Sequence, residues 1–344
     1  MPPVFNPRLV NDPAGDPGLF VPFFYERRAL LFDAGDLSSL FPRDILKITH
    51  VFITHTHMDH FTGFDTILRI CLGRQKNLYF FGPEGFLDRV EAKLSAYTWN
   101  LVHNYENTLR ITATEIRENV LVTREFNCHE KFAPGPARTL AYDNCLIYFE
   151  PVFKVEAAIL DHDIASMGYA LRERFSVNIR KEVLEEMKLK PGPWLYEFKQ
   201  ALYKGKDLHG VFKIPPGFAP GAERLEYTLQ ELADRIAVIT PGRKITYIAD
   251  AAWNDENIEK MLFLAKDADH LFIEGAFLDE DKDIARLKKH LTARQAGRLA
   301  AAAGAKRFTL FHFSPRYSGN FEMLVEQARV AASDPENSRP LISR

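Results

Sequence analysis

His55, Thr56, His57, Met58, Asp59 and His60 form the pattern His-x-His-x-Asp-His, directly after the apolar run Val51-Phe52-Ile53. Imidazole and carboxylate are the strong nitrogen and oxygen donors for divalent metals. In extended backbone alternate side chains point the same way, so His55 and His57 can grip one ion together. Asp59 and His60 are adjacent and diverge, which lets them reach a second ion beside the first. This donor set suits zinc, with manganese and iron as alternatives. The chemistry it offers is hydrolytic, because a metal-bound water has a pKa of about 7 and supplies hydroxide at neutral pH. The plain rival is a histidine-rich loop that holds nothing.

A buried strand over residues 51–54 must deliver this cluster, and a helix over 61–72 follows it. Residues 29–36 read as an earlier buried strand ending in a turn. Leu78-Tyr79-Phe80-Phe81 reads as a strand stopped by Gly82-Pro83, before a helix over 84–96. The stretch 110–172 alternates apolar and polar residues and is β-rich. Later strands end at Asp250, Glu274 and His312. Between them lie a helix over 254–265 and an alanine-rich helix over 293–303. Thr292 and Gln295 form a capping box at the start of the latter, and Gly304 stops it. Polar residues at several strand ends can converge on one edge of a sheet. Residues 1–20, rich in Pro, Asn, Asp and Gly, read as irregular.

The window 172–213 has a different texture. It carries ten Lys or Arg and six Asp or Glu, +4 net against −2 for the chain, and Pro191-Gly192-Pro193 separates two helical stretches. It reads as an arm inserted in one domain spanning 1–344, with a solvated helical hairpin as the rival. At 344 residues and 46% hydrophobic the chain can bury a large core, and its near-neutral charge gives no global field for nucleic acid. The three cysteines, Cys71, Cys128 and Cys145, are too few and too scattered for a disulfide framework, which fits a reducing cytoplasm. Neither a signal peptide nor a membrane span is expected.

Taken in order, the motifs resemble those of the metallo-β-lactamase superfamily, and within it ribonuclease Z, the transfer-RNA 3′-processing endonuclease. They are Phe32-Asp33-Ala34-Gly35, the cluster His55 to His60, Leu160-Asp161-His162-Asp163 with Met167-Gly168-Tyr169, and Ile248-Ala249-Asp250-Ala251. Glu274-Gly275-Ala276-Phe277-Leu278, His290-Leu291-Thr292-Ala293-Arg294-Gln295 and His312-Phe313-Ser314-Pro315-Arg316-Tyr317 complete the set. The resemblance implies an α/β (α+β) fold, a four-layer αββα sandwich with an inserted helical arm. It implies two Zn2+ ions (Mn2+ or Fe2+ as alternatives). His55, His57 and His162 would hold one, and Asp59, His60 and His312 the other, with Asp250 bridging. Such ions lie about 3.5–4 Å apart, the spacing that clamps an in-line displacement at phosphorus. Asp59 would orient the metal-bound hydroxide, His290 would protonate the leaving 3′-oxygen, and Glu274 would hold His290 in place. His129 is the rival to His162.

The implied function is hydrolysis of a phosphodiester, endonucleolytic 3′ processing of precursor transfer RNA, by a homodimer. The arm, with Lys199, Lys204 and Lys206, would be an RNA-binding exosite. A small-molecule hydrolase of the same superfamily (phosphodiesterase, arylsulfatase or lactonase) is the alternative, favoured by the lack of any basic residue over 11–20. A di-iron redox protein would tend to carry Glu where His57 stands, and a non-catalytic RNA-binding relative would not need the full ligand set.

Overall fold

The computed structural model describes residues 5–24, 26–143, 145–219, 225–334 and 341. Residues 1–4 of the segment expected to be irregular lie outside this set. Alternation along the strands sets the layers. Leu31, Val51, Ile53, Phe80, Ile111 and Ala113 turn to one face of a sheet and form a buried cluster with Phe64, Ile67 and Leu68 of the helix Phe64–Cys71 and Phe86, Val90 and Leu94 of the helix Phe86–Ser95. Phe32 and Phe52, their neighbours in sequence, turn to the other face. There they meet the rings of Tyr169 and Tyr247, with centroids 5.5–5.8 Å apart. These tyrosines belong to a second sheet. Its far face, with Ile248, Leu271, Ile273 and Leu310, packs against the helices Asp255–Ala265, Ala293–Ala302 and Glu322–Ser333. Helix, sheet, sheet and helix follow in that order, the αββα arrangement expected.

The first sheet runs in chain order through Arg8–Leu9, Leu19–Pro22, Ala29–Phe32, Ile48–Phe52, Lys76–Gly82, Leu109–Ile116, Val120–Asn127 and Arg138–Ala141. In the second, the order is Phe308–Phe311, His270–Glu274, Lys244–Ile248, Ala165–Glu173, Phe153–Asp161 and Leu146–Phe149. Ala29–Phe32, Ile48–Phe52 and Lys76–Gly82 are parallel neighbours, as are Lys244–Ile248, His270–Glu274 and Phe308–Phe311. Their carboxyl ends therefore face the same edge of each sheet.

Two local expectations change. Leu19–Pro22 is a strand, with Leu19, Phe20 and Val21 fully buried, where irregular chain was expected. The helix expected over 61–72 is broken into Met58–Phe61 and Phe64–Cys71. Gly63 lies at the break. A Cβ there would stand 2.4 Å from the carbonyl oxygen of Gly35 and 2.9 Å from that of Ala34, so the backbones touch and the chain must turn.

The chain divides into two compact units. The sheets and helices above belong chiefly to the larger. The smaller holds 148–154 and 172–243. Within it Phe175–Ile179 pairs antiparallel with Ala237–Pro241, and Val211–Ile214 with Leu225–Thr228. The two expected helical stretches are Lys181–Glu186 and Trp194–Tyr203. The unit is not a solvated hairpin: Leu184, Trp194, Phe198, Ile214, Leu232 and Ile236 are buried. It also continues past residue 213 to Arg243, whose carbonyl accepts from the amide of Glu173 at 2.9 Å. The charge count ended early because the returning segment has ordinary composition.

Candidate metal centre

The site lies in the larger unit, at the carboxyl ends of the parallel strands. The strand Ile48–Phe52 leads into His55 and His57, and the one-turn helix Met58–Phe61 carries Asp59 and His60. His162 follows the strand Phe153–Asp161, Asp250 follows Lys244–Ile248, and His312 follows Phe308–Phe311. Glu274 is the last residue of its strand. Parallel pairing of the last three strands is what brings Asp250, Glu274 and His312 to one edge.

Donor atoms of His55, His57, His162 and Asp250 lie within 4.8 Å of one another, and so do those of Asp59, His60 and His312. Asp250 sits between the groups. Its Oδ2 is 3.6 Å from His55 Nε2 and 3.5 Å from both His60 Nε2 and His162 Nε2, while its Oδ1 is 3.0 Å from His312 Nδ1. All seven residues expected as ligands are thus together. Asp250, Glu274, His290 and His312 form a third such group. Glu274 is already engaged, however: its Oε1 accepts from the Ala251 amide at 2.8 Å and its Oε2 is 2.9 Å from His290 Nδ1. Among the described residues His290 Nε2 has no hydrogen-bond partner. His129 is elsewhere, with its Nε2 3.0 Å from the carbonyl oxygen of Tyr105.

Neighbours fix which nitrogen His60 and His162 present. His60 Nδ1 donates to Asp33 Oδ2 at 2.9 Å, and His162 Nδ1 donates to the Lys289 carbonyl at 2.8 Å, which turns both Nε2 atoms toward Asp250. Asp33, not singled out as a site residue in the sequence, supports the group. It accepts from the Thr54 amide at 2.7 Å and the Tyr247 hydroxyl at 3.0 Å, as well as from His60. The only signal for it was its place in Phe32-Asp33-Ala34-Gly35. Asp33, Asp163, Lys289 and His312 all have φ between 54 and 62°. Left-handed backbone in non-glycine residues is costly and clusters at sites that need an aimed group.

The electrostatics call for cations. Burial foremost, then the neighbouring imidazoles, drive the pKa of His55 down to about 2, so it stays the neutral ligand form. Burial works against protonation of His60 too, but Asp250 and Asp33 outweigh it and raise its pKa to about 10. His312 is likewise raised well above its ordinary value, and Asp250 is held well below the usual carboxylate range despite its burial. Buried carboxylates here demand positive charge. His60 Nε2, Asp250 Oδ1 and His312 Nδ1 are buried with no hydrogen-bond partner among the described residues, although they crowd together. Nitrogen and carboxylate donors left unsatisfied in this way fit divalent metal. A cavity of about 460 Å3 opens onto the group, lined among others by His57, Asp59, Asp250, His290 and His312.

The chain is similar to several known proteins. The pattern of the beta-lactamase superfamily domain matches residues 28–139. Ribonuclease Z of Bacillus cereus is 30% identical over 324 residues, covering 91% of this chain and 87% of that protein. Ribonuclease Z of Deinococcus radiodurans is 29% identical over 291 residues, covering 84% and 83%. Among solved structures, the metallo-beta-lactamase fold protein YhfI from Bacillus subtilis matches with a TM-score of 0.53 at 14% identity, over 95% of this chain and 94% of that one, a likeness of fold.

Proposed function

The chain belongs to the ribonuclease Z family of the beta-lactamase superfamily, and on that premise we propose that it is a metal-dependent endoribonuclease that cuts precursor transfer RNA at its 3′ trailer. The observation that carries this is the convergence of six ligand-type side chains around Asp250, with His290 and Glu274 beside them. His55, His57 and His162 would hold one zinc ion and Asp59, His60 and His312 the other, with Asp250 shared. Manganese or iron would serve where supply favours them. Bound there, the ions supply an activated water and neutralise charge growing on the phosphoryl oxygens.

The chain's own groups do the rest. Asp59, with its side chain 42% exposed, accepts a hydrogen bond from the attacking water and aims it at phosphorus. As the bond from phosphorus to the 3′-oxygen breaks, His290 gives its Nε2 proton to that oxygen, leaving a 3′-hydroxyl on the RNA and a 5′-phosphate on the trailer. Glu274 makes this feasible: burial lowers the pKa of His290, but the carboxylate 2.9 Å away outweighs it, so the pKa is raised and the proton is available. We read the smaller unit as an RNA-gripping insertion in a single catalytic domain. Lys204 and Lys206 are exposed there, whereas Lys199 is half-buried. The working assembly is a homodimer in the cytoplasm.

The test is a paired measurement on native protein and Asp250→Ala: metal content, and cleavage of precursor transfer RNA and of an aryl phosphodiester. Native protein should hold metal and release a 3′-hydroxyl product, and Asp250→Ala should lose both metal and cleavage. Intact RNA alongside a hydrolysed aryl diester would sink the RNA assignment. It would favour a second reading, a small-molecule diesterase, which the acidic loop bearing Asp12 and Asp16 supports. That loop packs near the site, the Phe313 amide donating to the Pro13 carbonyl at 2.9 Å.

A further inference from the structure

A second cavity, of about 400 Å3, adjoins the metal centre and shares His290 and Lys289 with it. Trp253, Asn254, Lys282 and Arg286 are among its other lining residues. Trp253 stands three residues after Asp250, on a loop held at several points. The Ala251 amide donates to Glu274, the Ala252 amide to the Asp161 carbonyl at 2.8 Å, and the Asn254 side chain to Asp161 Oδ2 at 3.1 Å. The indole is half-buried at the edge of the core and makes no ring stack or hydrogen bond among the described residues. The cations beside it are loosely held. Arg286 meets Asp283 at 3.6 Å with both side chains more than four-fifths exposed, and Lys289 meets Asp163 at 3.2 Å with the aspartate 73% exposed. Lys282 is exposed and has no ion pair among the described residues.

An available aromatic face beside loosely held cations is what a nucleotide matches, its base stacking and its phosphate meeting the charges. The position says which nucleotide. His290, shared by both cavities, protonates the 3′-oxygen that leaves phosphorus, and that oxygen belongs to the last nucleotide retained on the RNA. We propose that this cavity is the subsite for that nucleotide, its base stacked on Trp253 and its 5′-phosphate held by Lys282 and Arg286. The proposal rests on the function given above and makes these three residues the ones that position that nucleotide.

The test uses metal-loaded, full-length protein and precursor RNAs that carry either a normal or an abasic nucleotide immediately 5′ of the cut. Wild type should lose about tenfold or more in kcat/KM on the abasic RNA, chiefly through KM, as expected for one lost base stack. Trp253→Ala should lose a similar factor on normal RNA and nothing further on abasic RNA. Equal cleavage of both RNAs by wild type, or losses that simply multiply, would overturn the subsite. If wild type cuts no RNA, the function fails and the subsite is judged separately by fluorescence titration with adenosine 5′-monophosphate. Quenching that is lost in Trp253→Phe and weakened in Lys282→Ala sustains it; no quenching in wild type overturns it.

Discussion

Asp33 shows how a single side chain can govern a site it never enters. Fully buried, it takes hydrogen bonds from Thr54, His60 and Tyr247, and so joins the strand before the histidine cluster, one candidate ligand and the opposing sheet. Its carboxylate keeps the proton of His60 on Nδ1 and the lone pair on Nε2. Asp33→Asn keeps the shape but turns an amide N–H toward groups that are themselves donors. Metal affinity should fall about 10- to 100-fold, read by competition with a chelator, because partners of this kind are worth that much. Native affinity in this variant would mean that His60 is oriented by something else. The residue was legible only as part of a motif, since an aspartate after an apolar strand is also what an ordinary turn looks like.

Among the elements, the break between Met58–Phe61 and Phe64–Cys71 sets where Asp59 and His60 point. Gly35 and Gly63 allow it: a Cβ on Gly35 would stand 2.3 Å from the Asp59 carbonyl, and one on Gly63 2.4 Å from the Gly35 carbonyl. Gly63→Ala should therefore lower both metal content and the thermal midpoint, with overpacking costs of about 1–3 kcal/mol. Unchanged metal content would show that the turn tolerates spreading. The strand leading to the cluster carries a different liability. His50 is buried, stacked on Tyr79 with centroids 4.8 Å apart, and burial, helped by the charge of Arg28, lowers its pKa from 6.5 to about 3. Unfolding lets it take up a proton at the ordinary value. Its contribution is therefore complete above 6.5 and drains away as pH falls from there toward 3. In metal-free protein, His50→Phe should flatten the decline of denaturation midpoint over this acid range. An equally steep decline would assign the acid sensitivity elsewhere.

At the scale of the whole molecule, the smaller unit can be separated from the chemistry by experiment. Its ends are neighbours, the Glu173 amide bonded to the Arg243 carbonyl at 2.9 Å, and the Phe175–Ile179 and Ala237–Pro241 strands pair just inside them. Replacing 175–241 by a short linker should leave metal content and aryl diester hydrolysis in place and raise KM for precursor transfer RNA by tenfold or more. Loss of metal on excision would show that the unit supports the fold instead of gripping substrate. No helix among the described residues is long and apolar enough to cross a membrane.

By itself, the sequence marked the candidate ligands: the types and local spacing of His55, His57, Asp59 and His60 point to a metal site, and the family resemblance added His162, Asp250 and His312. Apolar runs also located the strands that lead to these residues, and the layered fold was implied by the same resemblance. Only the tertiary structure decided which nitrogen His60 and His162 present, that Glu274 is also held by the Ala251 amide, and that Asp33 and Trp253 lie beside the candidate ligands. The physical reason is distance along the chain. Asp33 and Tyr247 are 214 residues apart, and His312 and Asp59 are 253 apart. Contacts of that span leave no periodic trace in a sequence; they exist only once parallel pairing has brought the strand ends to one edge.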